Sequence, residues 1–240
     1  VRQLDREAIA HTLVGHLAKS QCDRGLCLEL LRLLMEGQPV SLARVAAVLG
    51  RPLDDVVLGV RQLANVEFDR RGDIIAAVGL SLVPTPYRLQ VGERALFTWC
   101  ALDTLMYPVL LQCTARVTAR CPGTGAVIRL MVTLEGVVEC DPPDAVVSLV
   151  IPEIGGECCD IRGVFCNEVH FFACRAAAST WCSEHTQALI LAVSDAFMLG
   201  RAIARLLYCA ASPAETIGSA GAGGTVLLHG EGGDGDATKG

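Results

Sequence analysis

Apolar side chains recur with a helical period along the first part of the chain. In Asp5–Ala18, Ile9, Leu13, His16 and Leu17 fall near one face, which predicts an amphipathic helix. Leu26–Met35 (LCLELLRLLM) is a second, richly apolar helix, closed by Gly37 and Pro39. Ser41 has the character of an N-cap for a helix over Leu42–Leu49, with Gly50 just past its end. Arg51-Pro52 restarts the chain, and Leu53–Ala64 carries the next helix. Two short helices about a Gly-containing turn make a helix-turn-helix. The period then drops to two. Val66–Asp69, the turn Arg70-Arg71-Gly72-Asp73, and Ile74–Leu82 predict a β-hairpin, and a hairpin after a helix-turn-helix is a winged-helix pattern.

Val83-Pro84-Thr85-Pro86 marks a boundary. Beyond it the pattern predicts a helix over Glu93–Tyr107, stopped by Pro108. Strand-like runs follow at Thr114–Thr118, Ala126–Val132, Gly136–Cys140, Val146–Ile151 and Val164–Ala173. A last helix spans Thr180–Tyr208, with Gly200 inside it. Strands with flanking helices predict an α+β domain. Ala211–Gly240 is rich in Gly, Ala, Ser and acidic residues and reads as a flexible tail. The expected division is therefore 1–83, a winged-helix-like domain; 84–210, a mixed α+β domain; and 211–240, a Gly-rich tail.

Charge narrows the function of the first domain. The net charge is −6, and the whole excess falls after residue 80. The second helix of the helix-turn-helix opens with Asp54 and Asp55, and Arg61 is its only basic residue. Carboxylates at the end that would enter a major groove repel phosphates, so the pattern opposes nucleic-acid binding and favours a structural module. The apolar runs at 74–84 and 145–152 are far shorter than the roughly 18–20 residues a membrane span needs. Val1-Arg2-Gln3-Leu4-Asp5 has no apolar signal core, and the expected compartment is the cytoplasm.

Cysteine is the compositional outlier, with 12 in the chain. A reducing compartment and a large apolar core favour free thiols over a disulfide framework. Any one of them is by default a small buried hydrophobe, so chemistry has to come from neighbours. On the expected Glu93–Tyr107 helix, Ala95, Trp99, Leu102 and Met106 form the core stripe, while Cys100, Asp103, Thr104 and Tyr107 share a second face. A thiol and a carboxyl one helical turn apart make a poor low-pKa nucleophile, because the negative charge raises the thiol pKa. They suit a reaction in which the carboxylate takes the thiol proton and later returns it. In the expected strand, alternation puts Cys166, Glu168 and His170 on one face. Those residues fit a packed strand or half of a zinc site, though no C-x-x-C pair exists in the chain to complete one.

Two segments resemble one family. Trp99-Cys100-Ala101-Leu102-Asp103-Thr104-Leu105 with Tyr107-Pro108, and Phe165-Cys166-Asn167-Glu168-Val169-His170-Phe171-Phe172, resemble the active-site helix and second cysteine segment of organomercurial (alkylmercury) lyases. Thr114-Ala115-Arg116-Val117 and Cys121-x-x-Thr124-Gly125 are similar to the stretch between them, and the winged-helix-like part is similar to that family's N-terminal module. The resemblance implies protonolysis of a carbon–mercury bond, with Cys100 and Cys166 binding mercury and Asp103 handling the proton. It implies a structural role for Cys121, and Asn167 stands where some relatives carry another cysteine. It also implies an organomercurial substrate, no organic cofactor, low-molecular-weight thiols for release of Hg(II), and a mercuric reductase as acceptor. The vicinal Cys158-Cys159 lies just upstream of the Cys166 segment, either as extra thiols at the site mouth or, the favoured reading, as incidental to it. The rival reading is a winged-helix transcriptional regulator that senses a soft metal through its cysteines, which leaves the Cys100–Asp103 pairing without a purpose.

Overall fold

A computed structural model describes residues 5–18, 23–151, 160–185 and 187–209. The expected tail 211–240 and the Cys158-Cys159 pair lie outside these residues.

The chain opens with α1 (Arg6–Ala18), α2 (Arg24–Leu34), α3 (Leu42–Leu49) and α4 (Leu53–Gln62). Their ends follow the local chemistry. Asp23 caps α2 by accepting the Leu26 N–H at 3.0 Å, and the Ser41 hydroxyl caps α3 by accepting from Arg44 N–H at 3.2 Å. Gly50 closes α3 in the left-handed region, at φ 64°. Leu26, Leu30, Leu31 and Leu34 of α2 are buried against Val45, Val56 and Val60 of the helix-turn-helix, and Ile74 lies in the same core. The wing is built from β1 (Glu67–Phe68), β2 (Ile74–Ala77) and β3 (Leu80–Ser81).

The wing does not end in solvent. Strand β3 pairs antiparallel with β5 (Arg94–Thr98), which pairs with β4 (Tyr87–Val91). With β6 (Ala115–Arg120), β7 (Val127–Val132) and β8 (Val137–Asp141), this gives one sheet of order β1-β2-β3-β5-β4-β6-β7-β8. The sheet therefore runs without a break across the Pro84 segment. Alternation is clearest in β6, where Ala115, Val117 and Ala119 are buried and the residues between them exposed. A second sheet, of order β10-β9-β11, is formed by β9 (Val146–Leu149), β10 (Phe171–Phe172) and β11 (Leu189–Ala192).

Three sequence expectations are corrected. The stretch 93–107 is not one helix. Gly92, at φ 58°, turns the chain between β4 and β5, and only Ala101–Leu110 is helical, as α5. Leu96 and Thr98 point inward with period two, and the 3.6-residue spacing of Ala95, Trp99, Leu102 and Met106 is coincidental. Pro108 lies inside α5 and does not stop it. The stretch 164–173 is not one strand. It holds the end of α6 (Ile161–Val164), a 3-10 turn at Cys166–Glu168, and β10, because only Phe171 and Phe172 find partners on β9. The stretch 180–208 is divided among α7 (Ser179–Glu184), β11 and α8 (Val193–Ala204), the last running into a π-helical turn at Arg205–Cys209. Here Leu189–Ala192 leave the helical path to pair with β9.

Helix α8 lies against α5 at Gly200, where a Cβ would sit 3.4 Å from the Cβ of Met106. That close approach fixes α5 from behind, and its N-terminus faces the Cys166 turn.

Candidate functional site

The site is assembled at the N-terminus of α5. Cys100 is the N-cap, with φ −145° and ψ 172°. It forms a capping box with Asp103: the Cys100 side chain accepts the N–H of Asp103, and Asp103 Oδ2 accepts the Cys100 N–H at 3.2 Å. The two residues thus face each other across a helix end, and not along a helix face. Thr98 donates its hydroxyl to the Cys100 carbonyl at 2.9 Å, and Thr104 donates to the Ala101 carbonyl at 2.7 Å. The carbonyls at this end of the helix already accept from N–H groups one turn on, so the two hydroxyls add second contacts that tie Thr98 and Thr104 to the turn.

Cys166 arrives from the second sheet. Its 3-10 turn is closed by Glu168 N–H donating to the Phe165 carbonyl and Val169 N–H donating to the Cys166 carbonyl. The turn is then tied on both sides. Ala101 N–H donates to the Val169 carbonyl at 3.1 Å, which joins it to α5. The buried Ser148 hydroxyl donates to the Glu168 carbonyl at 2.9 Å and accepts from His170 N–H at 2.9 Å, which joins it to β9.

These ties bring Cys100, Asp103 and Cys166 together, with their ligand atoms within 4.8 Å of one another. All three are buried, at 0%, 8% and 4% exposure. It is the one such convergence of acidic, thiol or imidazole groups among the described residues. Burial, the hydrogen bond its thiol donates to Cys166 and the neighbouring Asp103 push the Cys100 thiol well above the usual range. Burial also lifts Asp103 to about 7, against the hydrogen bonds from Cys100 that favour its charged form. The result is a thiol that keeps its proton and a carboxyl poised near neutrality to take it.

The surroundings contain residues that sequence patterns did not single out. Tyr87 of β4 is buried, and its hydroxyl shares a 2.6 Å hydrogen bond with Nδ1 of His170. Burial raises the Tyr87 pKa and lowers that of His170, so both stay neutral. Cys100, Cys166 and Asp103 also act electrostatically on Tyr87, which places it beside the site. The Trp99 ring lies under the Arg162 guanidinium, 5.4 Å from its centroid, and its indole N–H is buried without a hydrogen-bond partner. Arg162 pairs with Glu67 of the wing, and Asn65 bonds both Asp160, at 2.8 Å, and Arg162 N–H, at 3.3 Å. Among the described residues His170 belongs to no cluster of three or more metal-ligating groups, so the zinc reading its spacing allowed gains no further ligands. Cys121 is buried in its turn, where hydrogen bonds from Thr124, Ala173 and Gly123 outweigh burial and lower its pKa. Cys100, Cys113, Cys121, Cys140, Cys166, Cys174 and Cys182 are free, whereas Cys27 is disulfide-bonded, contrary to the expectation of free thiols.

Comparison with known proteins points to one family. Residues 80–205 match the family described as Alkylmercury lyase, and residues 8–78 match the Helix-turn-helix domain of alkylmercury lyase. The alkylmercury lyase of Staphylococcus epidermidis is 44% identical over 172 residues, which span 72% of this chain and 78% of that protein. The alkylmercury lyase of Pseudomonas putida is 42% identical over 182 residues, 76% and 84% of the respective chains. The fold is shared with the solved mercury-bound form of MerB2, with a TM-score of 0.71 at 24% identity over 85% of this chain and 100% of that one.

Proposed function

The chain belongs to the alkylmercury lyase family, and from that premise we propose that Cys100, Cys166 and Asp103 are the groups with which it cleaves the carbon–mercury bond of organomercurials. The observation that carries the assignment is the convergence of two thiols and one carboxyl in a buried cluster. Mercury(II) is a soft cation, and thiolates are the soft ligands a protein has. Each thiolate added to mercury pushes electron density onto the bound carbon and makes it easier to protonate.

The order of steps follows from the protonation states. Cys166 exchanges its thiol for the ligand on R–Hg–X, and the thiol proton leaves with X. Cys100 holds its proton too tightly to ionise alone. Asp103 as carboxylate removes that proton, and the Cys100 sulfur bonds to mercury. The protonated Asp103 then delivers the proton to carbon as the carbon–mercury pair closes on it. R–H leaves, and Hg(II) stays between two sulfurs. The scheme calls for no organic cofactor. Low-molecular-weight thiols would draw Hg(II) off by exchange, with a mercuric reductase as the eventual acceptor. No helix among the described residues is long and apolar enough to cross a membrane.

The test is Asp103→Ala. The variant should still take up the organomercurial on Cys166, seen as a single alkylmercury adduct by mass spectrometry, but release no hydrocarbon by gas chromatography. Hydrocarbon release at the parent rate would discard the scheme. The regulator reading is disfavoured by the family match and by Asp54 and Asp55 in the first turn of α4.

A further inference from the structure

The wing reaches the carboxyl of Asp103. Strands β2 and β3 are joined through Val78-Gly79, both in the left-handed region, at φ 55° and 89°. That geometry makes a tight hairpin turn whose tip projects as a narrow wedge. The tip is fastened on both sides of the α5 N-terminus. Trp99, which precedes Cys100, donates its N–H to the Gly79 carbonyl at 2.9 Å. Tyr107, one turn beyond Asp103, donates its hydroxyl to the Val78 carbonyl. A Cβ at position 79 would overlap the Tyr107 hydroxyl and lie 3.0 Å from Asp103 Oδ2. The bare Cα of Gly79 therefore packs on the same carboxyl oxygen that accepts the Cys100 N–H. At this position a glycine meets two demands at once, a positive φ and the absence of a side chain.

We propose that Gly79 is a positioning residue for carbon–mercury cleavage: the wing tip shields Oδ2 of Asp103 from water and holds it on the Cys100 N–H, so that Oδ1 alone exchanges the proton. In that step the proton moves from Cys100 Sγ to Oδ1 as the sulfur–mercury bond forms. It then moves from Oδ1 to the substrate carbon, which takes up the electron pair of the breaking carbon–mercury bond. The inference rests on Asp103 as the proton carrier. It gives the helix-turn-helix module a task that needs no DNA, since its wing supplies one wall of the site.

The experiment uses the full chain loaded with one equivalent of methylmercury, with methane release followed in a single turnover and mercury–thiolate absorbance followed in parallel. Tyr107→Phe removes the hydroxyl that a new Cβ would strike, so Gly79→Ala is made in that background and compared with Tyr107→Phe alone. The double variant should form the first mercury–thiolate bond, on Cys166, as its reference does, but release methane about 10–100-fold more slowly, the cost of misplacing a reacting group by a fraction of an ångström to an ångström. Val78→Gly slackens the same turn without adding an atom and should slow the same step about threefold to tenfold. Methane release at the reference rate from the folded double variant, or at the parent rate from Val78→Gly should the double variant not fold, overturns the proposal. Asp103→Asn separates the two readings. If it is silent while the wing variants run at full rate, the role of Gly79 fails; if it releases methane normally, the proton-carrier reading has failed first.

Discussion

The sulfur of Cys100, which caps α5, and the sulfur of Cys166, which sits in a 3-10 turn off the second sheet, lie within 4.8 Å of each other inside the protein. A linear two-coordinate mercury ion needs two sulfurs on opposite sides of one point, and neither element can supply both. Replacing Cys166 with Ser should therefore abolish turnover and leave one sulfur at the site. Mass spectrometry after mercury loading and removal of weakly held metal by a competing monothiol should show Hg(II) retained by the parent and lost from the variant. Full retention would mean that another thiol completes the pair.

Asp103 can take the Cys100 proton only as a carboxylate, and burial has lifted it to about 7. Below that value the carboxyl is already protonated and the second sulfur cannot be freed. The apparent kcat/KM should fall about tenfold per pH unit on the acid side of 7 and level off above it. Single-turnover release from an already doubly coordinated complex should be nearly flat over the same range, because its proton is internal. Equal pH profiles for both measurements would refute the ordered transfer.

The same burial has a cost in stability. An unfolded Asp loses its proton near 3.8, and the folded Asp103 near 7, so between those values the folded state holds the extra proton. Stability is highest below the lower value and declines as pH rises through the higher one, by on the order of 4 kcal/mol in total. Asp103→Asn keeps an oxygen for the Cys100 N–H and carries no charge. Its melting temperature should exceed that of the parent at pH 8, and the gap should close by pH 4. A variant no more stable than the parent at pH 8 would show that the carboxylate is not being held out of water.

How much of this was legible in the sequence depends on the range of the forces involved. Ser41, Gly50 and the leucine stripe of α2 act locally, and their elements stand where the pattern puts them. Cys100 and Asp103 are neighbours by spacing alone, yet the spacing suits a capping box as well as a helix face, and it is the strand pairing of β5 with β3 and β4 that decides between them. Cys166 had no local signal. Alternation suggested a strand, but two residues pairing with β9 and a hydroxyl from Ser148 were enough to bend it into a turn. Tyr87, Gly79 and Arg162 were silent in the sequence because each acts through a partner brought near by the sheet: His170, Asp103 and Trp99.

Arg162 offers a way to separate holding the site from holding the fold. Its ion pair with Glu67 is half exposed, with side-chain exposures of 36% and 37%, and such pairs contribute about 0–1 kcal/mol. Yet Arg162 lies over Trp99, beside Cys100, and its turn leads directly into Cys166. Glu67→Ala should leave the melting temperature almost unchanged while slowing the closure of the second sulfur–mercury bond severalfold, read by stopped-flow absorbance. Arg162→Lys keeps the charge but loses the planar group that stacks on the indole, so it should slow the same step although its pairing with Glu67 is retained. A large loss of stability with no kinetic effect would make the pair a support of the wing alone. The opposite outcome would mark the wing base, together with its tip, as part of what holds the two thiols in line.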